Sequence, residues 1–547
     1  MRGFSVFALC TASALALSPC ARADVTISSG PTRNMDCGAG LCKPTTKHAV
    51  LNVGDLQNLL AVANVEVTTG QKDIGIVVDA PFSWTNANQL DLITHGAISI
   101  RQPISVLGTG GFALSSPPIL QQGGRVIFWD LRGRLRIGAD DYTLVGSIAD
   151  LASAVSQNAN GFYALANDYD ATGDGTYAAS PVGNFDGIFD GLGNTISNLT
   201  IDDPSTSDTY LGLFSELLTD NNANAALRNL TLDNIGVTAT RSIEGVGGLV
   251  GLNNGTIANV HVSGAIVEGD NTGGVAGYNE GHVTFSSSSA SVTTSDAYSS
   301  GGLIGQSHGS VDNSSSSGTI GGASSNAAGG LVGYNNQGSI TASHSSSTMT
   351  VGGIAGGLSG SSQGPITLCY ATGNITNAGY GGGLVAFNSG LLSQSFATGS
   401  ISNGSQGLGG GLVDSNDGTI VQTYARGSIT NGETSGGFAA GNSGTIQQSY
   451  STGHVSKGSL HGGFVGFEGY SPHELRFAYW DTDTSGFTQG AGNRKHFRQL
   501  VGLTTAQFQS GLPDGFDPAI WGQSAGINDG YPYLLALPPP PPAPKRH

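Results

Sequence analysis

Two groups of carboxylates stand at spacings that could support chemistry. Asp168, Asp170 and Asp174 lead into Gly175, and Asp186 and Asp190 flank Gly187. Paired carboxylates can act as acid and base on a glycosidic bond, or bind Ca2+ through hard oxygens. The first group lacks the bidentate Glu that closes a calcium loop. Asp186 and Asp190 lie within Gly turns, where Asp is a turn former. A lyase-type site also needs a clustered cation as base or clamp, and between Gly248 and Tyr470 only Arg426 and Lys457 are basic. The reading is a non-enzyme with no metal and no cofactor; a polysaccharide-active enzyme is the alternative.

Cysteine and histidine are read next. Cys37 and Cys42 enclose a Gly-containing turn and are expected to form a local disulfide in an oxidising compartment. No nearby His or Cys completes a tetrahedral metal set around them. Cys369 sits in an apolar strand pattern and reads as a small buried hydrophobe. His282, His308 and His454 fall at different repeat offsets, so no metal ladder is expected.

The elements that must position these residues are repetitive. The chain has 547 residues, of which 87 are Gly, and 38% are hydrophobic. A Gly-Gly pair followed by an apolar residue recurs with its second Gly at 248, 274, 302, 330, 353, 383, 411, 437 and 463. Asn follows five residues later at Asn253, Asn279, Asn335, Asn388, Asn416 and Asn442. A ring recurs further on, at His261, His344, Tyr370, Phe396, Tyr424 and Tyr450. Short apolar runs between turn residues are strand chemistry, and a near-constant step marks a solenoid. The prediction is an all-β, right-handed parallel β-helix over roughly 46–470, with a few short helices and a Pro-rich tail. Equal positions of successive coils then stack about 4.8 Å apart, and the Asn residues form an amide ladder. The copy at Gly353, with Leu358 in the Asn position, is expected to be the least regular. Helical spacing appears at 55–63, at 147–155 with Ser147 as N-cap, and at 504–509.

The ends carry other signals. Arg2, the apolar run Phe4–Leu17 and Ala21-Arg22-Ala23 form a signal-peptide pattern with Asp24 as the mature start. Cys20 offers a lipoprotein alternative. No later run is apolar and long enough to span a bilayer, so no transmembrane anchor is expected after signal removal. The resulting division is 1–23 signal peptide, 24–45 Cys-containing segment, 46–240 less regular β-helix, 241–470 repeat β-helix, 471–535 closing segment and 536–547 Pro-rich tail. With 21 basic and 38 acidic residues the net charge is −17, which argues against nucleic acid as a partner.

The runs Gly248-Leu249-Val250-Gly251, Gly302-Leu303-Ile304-Gly305 and Gly330-Leu331-Val332-Gly333 resemble GLUG-motif repeats. Phe185 to Leu199 resembles the segment that leads into such arrays, and Tyr479-Trp480-Asp481 with Asp529-Gly-Tyr-Pro-Tyr-Leu resembles their closing segment. Residues 46–140 are similar to filamentous-haemagglutinin-like exoproteins. The resemblance implies an exported bacterial protein of adhesin type, secreted or at the cell surface, with glycans, extracellular matrix or a host surface as partners; a spacer without a specific ligand is the alternative. GLUG repeats also occur in immunoglobulin-cleaving metallopeptidases, which need two His on one helix turn with a Glu between. His473-Glu474 approaches that pattern, but Phe477 occupies the second ligand position.

Overall fold

The computed structural model describes residues 23–70, 75–121, 123–204, 208–240, 243–322, 326–456, 458–469, 474–494 and 499–540. The expected signal segment apart from Ala23, His473 and the last seven residues of the Pro-rich tail lie outside the described residues. The chain is all-β, a parallel β-helix with a few short helices, and it divides into two compact units, 1–125 with 132–141 and 126–131 with 142–547.

In the first unit, Ala23–Ser28 lies between Ala49–Asn52 and Gly75–Val78 and runs parallel to both. The coils therefore begin upstream of residue 46. A second parallel ladder joins Leu41–Pro44, Val65–Thr68, Gln89–Ile93, Gly111–Leu114 and Arg134–Ile137. Alternate residues point inward, as the pleat requires: Val25 and Ile27, Val65 and Val67, and Leu90 and Leu92 are buried. The first helix, α1 (Val53–Leu60), starts where the Asn52 side chain accepts from the amides of Gly54 and Asp55.

The second unit holds the repeat. Its clearest sheet stacks eleven strands of equivalent register from Val182–Phe185 to Val465–Glu468. By the strand spacing it rises about 48 Å. Ser147 caps α2 (Ile148–Gln157), and a Thr504/Gln507 capping box starts α4 (Thr505–Ser510), close to where helical spacing placed them. Between them lies α3 (Thr482–Ser485), a single turn opened by Asp481, which the sequence reading missed.

The four residues of Gly248-Leu249-Val250-Gly251 each have a steric reason. The chain bends between strands Gly245–Gly247 and Val250–Asn253, so that Leu249 and Val250 are both fully buried. A Cβ on Gly248 would fall 2.6 Å from the Gly274 carbonyl of the next coil. A Cβ on Gly251 would fall 2.5 Å from the Leu211 amide of the coil before. Real Cβ atoms do not approach backbone so closely, so in this coil both ends of the motif must be Gly.

One register differs from expectation. The Leu331 amide donates to Leu358, Gly329 pairs with Gly356, and Asn335 pairs with Ser362. The anchor of this coil is therefore Gly356-Gly357-Leu358 rather than Gly352-Gly353-Ile354. Leu358 is a core residue, and Ser362 takes the Asn position. With Gly357 as the anchor the coil is as regular in length as its neighbours.

Candidate functional site

The carboxylates that could have formed a catalytic or calcium site are dispersed among structural partners. Asp168 accepts from the Thr195 amide at 2.9 Å. Asp170 caps a 3-10 turn, accepting from Asn198 at 2.9 Å and from Thr172 at 2.6 Å, and these bonds hold its carboxyl down at about 2. Asp174 receives the hydroxyls of Tyr169 and Tyr177. Asp186 accepts from Asn221, whereas Asp190 is buried in an ion pair with Arg228 at 2.7 Å and accepts from Asn229 and the Leu192 amide. Arg228 continues to the Tyr142 hydroxyl. Among the described residues no three His, Cys, Asp or Glu group as a metal site.

Cys37 and Cys42 face one another across the hairpin Met35–Gly38/Leu41–Pro44 and are joined as a disulfide. Cys369 is buried, but in a row of hydroxyls rather than of alkyl groups. Its amide donates to Ser395 and its thiol to the Thr367 carbonyl. Ser286, Ser314 and Ser343 do the same in earlier coils, each donating to the carbonyl two residues before it. Burial pushes the Cys369 thiol up to about 12.

The six asparagines share one row, buried at the end of the eleven-stranded sheet. Asn253 donates to Asn279 at 2.7 Å and Asn279 to Ser307 at 3.0 Å. Asn335 donates to Ser362, and Asn388, Asn416 and Asn442 run on to Glu468. The ladder breaks after each Ser, because Ser307 and Ser362 donate to carbonyls of their own turn. The side-chain oxygens of Asn253, Asn335 and Asn388, which head the three runs, have no hydrogen-bond partner among the described residues.

The predicted ring row is also real in space. His344, Tyr370, Phe396, Tyr424 and Tyr450 stack face to face with centroids 4.6–5.2 Å apart. His261 occupies the same row, but Ser287 and Ser315 separate it from the others. This row lies outside the solenoid core. Its last rings are covered by Phe508, Phe516, Trp521 and Tyr531 of the closing segment.

A second row was not anticipated. On the outward side of the eleven-stranded sheet the register positions are Asn184, Glu216, Leu252, Tyr278, Gln306, Tyr334, Ser361, Phe387, Ser415, Gly441 and Phe467. Rings at Tyr278, Tyr334 and Phe387 fall on every second coil, with Gln306 and Ser361 between them. Each ring is propped by another: Tyr278 against Tyr210 and flat on His308, Tyr334 against Tyr298, and Phe387 against Tyr380. His308 is held in turn by Glu280 at 2.9 Å and Asn336 at 2.6 Å. Partial burial, together with Glu244 and Asp270, pushes the Tyr278 hydroxyl up to about 12. The sequence signal for this row was the Tyr four residues after the anchor in Gly-Tyr-Asn at 277–279 and 333–335.

Residues 296–321 match the family model described as the GLUG motif. The chain is a GLUG-motif protein. The matched stretch runs from the loop before strand Ser299–Gly301 into strand Thr319–Gly322, so one motif corresponds closely to one coil. The chain is also similar to halomucin of Haloquadratum walsbyi (strain DSM 16790 / HBSQ001), 36% identical over 167 residues, which cover 28% of this chain and 2% of halomucin. It thus spans only a small part of that relative's length. A solved structure named IgA1 Protease aligns at 18% identity over 60% of this chain and 21% of that chain, with a TM-score of 0.28, too low to carry an argument.

Proposed function

We propose that this protein is an exported, non-catalytic adhesion module, secreted or displayed at a cell surface, that binds glycans or extracellular matrix through its long outward faces. The observation that carries this reading is the Tyr278–Tyr334–Phe387 row, in which half-buried rings alternate with polar side chains along the stack. Repeated shallow positions suit weak multivalent contact, where avidity exceeds the affinity of any single position. The dispersal of Asp168, Asp170, Asp174, Asp186 and Asp190 among structural partners favours binding over turnover. Similarity to halomucin supports a place for such a chain outside the cell. No helix among the described residues is long and apolar enough to cross a membrane.

Two measurements test it. Protease shaving of intact cells is expected to release fragments of the chain. The purified chain, presented multivalently on beads, is expected to be retained on a glycan array or on immobilised matrix proteins. Failure of retention on every surface overturns adhesion and leaves the chain a spacer.

A further inference from the structure

Resting on the adhesion reading, we propose that Tyr278, Tyr334 and Phe387 form a linear platform for an uncharged polysaccharide chain lying along the solenoid axis, with one sugar per coil and a ring beneath every second sugar. Spacing is the first argument. Positions two coils apart in one parallel register are about 10 Å apart, close to the length of an extended disaccharide of 1,4-linked hexoses. The C–H faces of alternate sugars can therefore meet successive rings. Gln306 and Ser361 stand at the intervening positions; Gln306 is buried, and the part-exposed Ser361 can bond a sugar hydroxyl.

Charge selects the class of chain. Glu216 lies in the row itself, and Glu244 and Asp270 act on Tyr278. From Arg241 to Arg426 the sequence contains no other Lys or Arg, and Arg426 is engaged by Asn528 and Asp529 of the closing segment. An anionic polymer would meet repulsion here without a compensating cation. The face is also already ordered, since each ring leans on a second ring, which lowers the entropy lost on binding.

The test uses the full chain with cellohexaose and xylohexaose as neutral probes, and oligoalginate as the anionic one, read by titration calorimetry and thermal melting. The parent is expected to bind at least one neutral probe and not oligoalginate. Tyr334→Ala is expected to weaken that binding about tenfold without lowering the melting temperature, and Tyr334→Phe to retain it. Tyr370→Ala, on the other ring row, should bind as the parent does. Preference for oligoalginate overturns the charge argument. Undiminished binding by Tyr334→Ala overturns the platform while leaving glycan adhesion standing. If neither neutral probe binds the parent, the platform is overturned, and the glycan array then decides separately whether adhesion survives.

Discussion

At the residue scale, buried polar groups decide most. Asp414 occupies a position that is Gly251, Gly277, Gly305 and Gly333 in earlier coils and Ala386 and Ala440 in its neighbours. It is 2% exposed, and one carboxyl oxygen has no hydrogen-bond partner among the described residues. Burial lifts it to about 8, and burial lifts Glu468, at the end of the Asn ladder, to about 7 despite the Asn442 bond. Both values lie above those of the unfolded chain. Between the unfolded and folded values the native state holds a proton that the unfolded state has lost, so stability falls as pH rises. For Asp414 that window runs from near 4 to about 8. Asp414→Asn is therefore expected to match the parent near pH 4 and to exceed its stability at pH 8 by roughly 2 kcal/mol or more. Chemical denaturation at the two pH values checks this; an equal difference at both would remove protonation of Asp414 as the cause.

At the element scale, the coil is set by positions that must be small and positions that must be apolar. Leu331 is fully buried between coils, its amide bonded to Leu358. Phe467 lies on the outward row and is 38% exposed. Leu331→Asp puts a charge in the core with no cation near it, and should cost more than about 3 kcal/mol. Phe467→Ser should change stability by about 0.5 kcal/mol. Thermal melts of the two variants test the assignment, and equal losses would mean that inside and outside had been interchanged. Most of this pattern was legible, because the Gly-Gly anchor, the Asn and the ring each recur at fixed offsets. Two features were not. Gly352-Gly353-Ile354 imitates the anchor four residues ahead of Gly356-Gly357-Leu358, and only strand pairing separates them. A left-handed corner recurs at Asn259, Phe285, Asn313, Ala342, Leu368, Gln394, Gln422 and Gln448. It is a backbone conformation shared by unlike side chains, so residue type gave no sign of it. Where Gln fills the corner, a second amide ladder forms from Gln394 through Gln422 to Gln448.

At the scale of the whole second unit, the closing segment does more than end the stack. It folds back along the side of the last coils and converts an outward ring row into a second core. Trp521 is almost fully buried there, 4.5 Å from Phe516 and 5.9 Å from Tyr450 between ring centroids. Asn528 bonds the Tyr450 hydroxyl, and Arg426 spans to Asp529 while lying over Tyr531. Coils at Tyr424 and Tyr450 therefore have a lateral partner that coils upstream of Tyr370 lack. In a stack held by nearest neighbours, loss of that partner should be felt locally and fade upstream. Trp521→Ala removes the largest side chain of this second core, a change of about 3–5 kcal/mol in a well-packed site. Hydrogen exchange is expected to accelerate in strands Thr419–Val421, Tyr424–Ala425 and Thr445–Ser451, and to stay unchanged in Val250–Asn253 and Ala276–Asn279. Uniform acceleration along the array would mean that the coils unfold as one cooperative block, and the closing segment would then be a lock on the entire stack rather than a cover for its last turns.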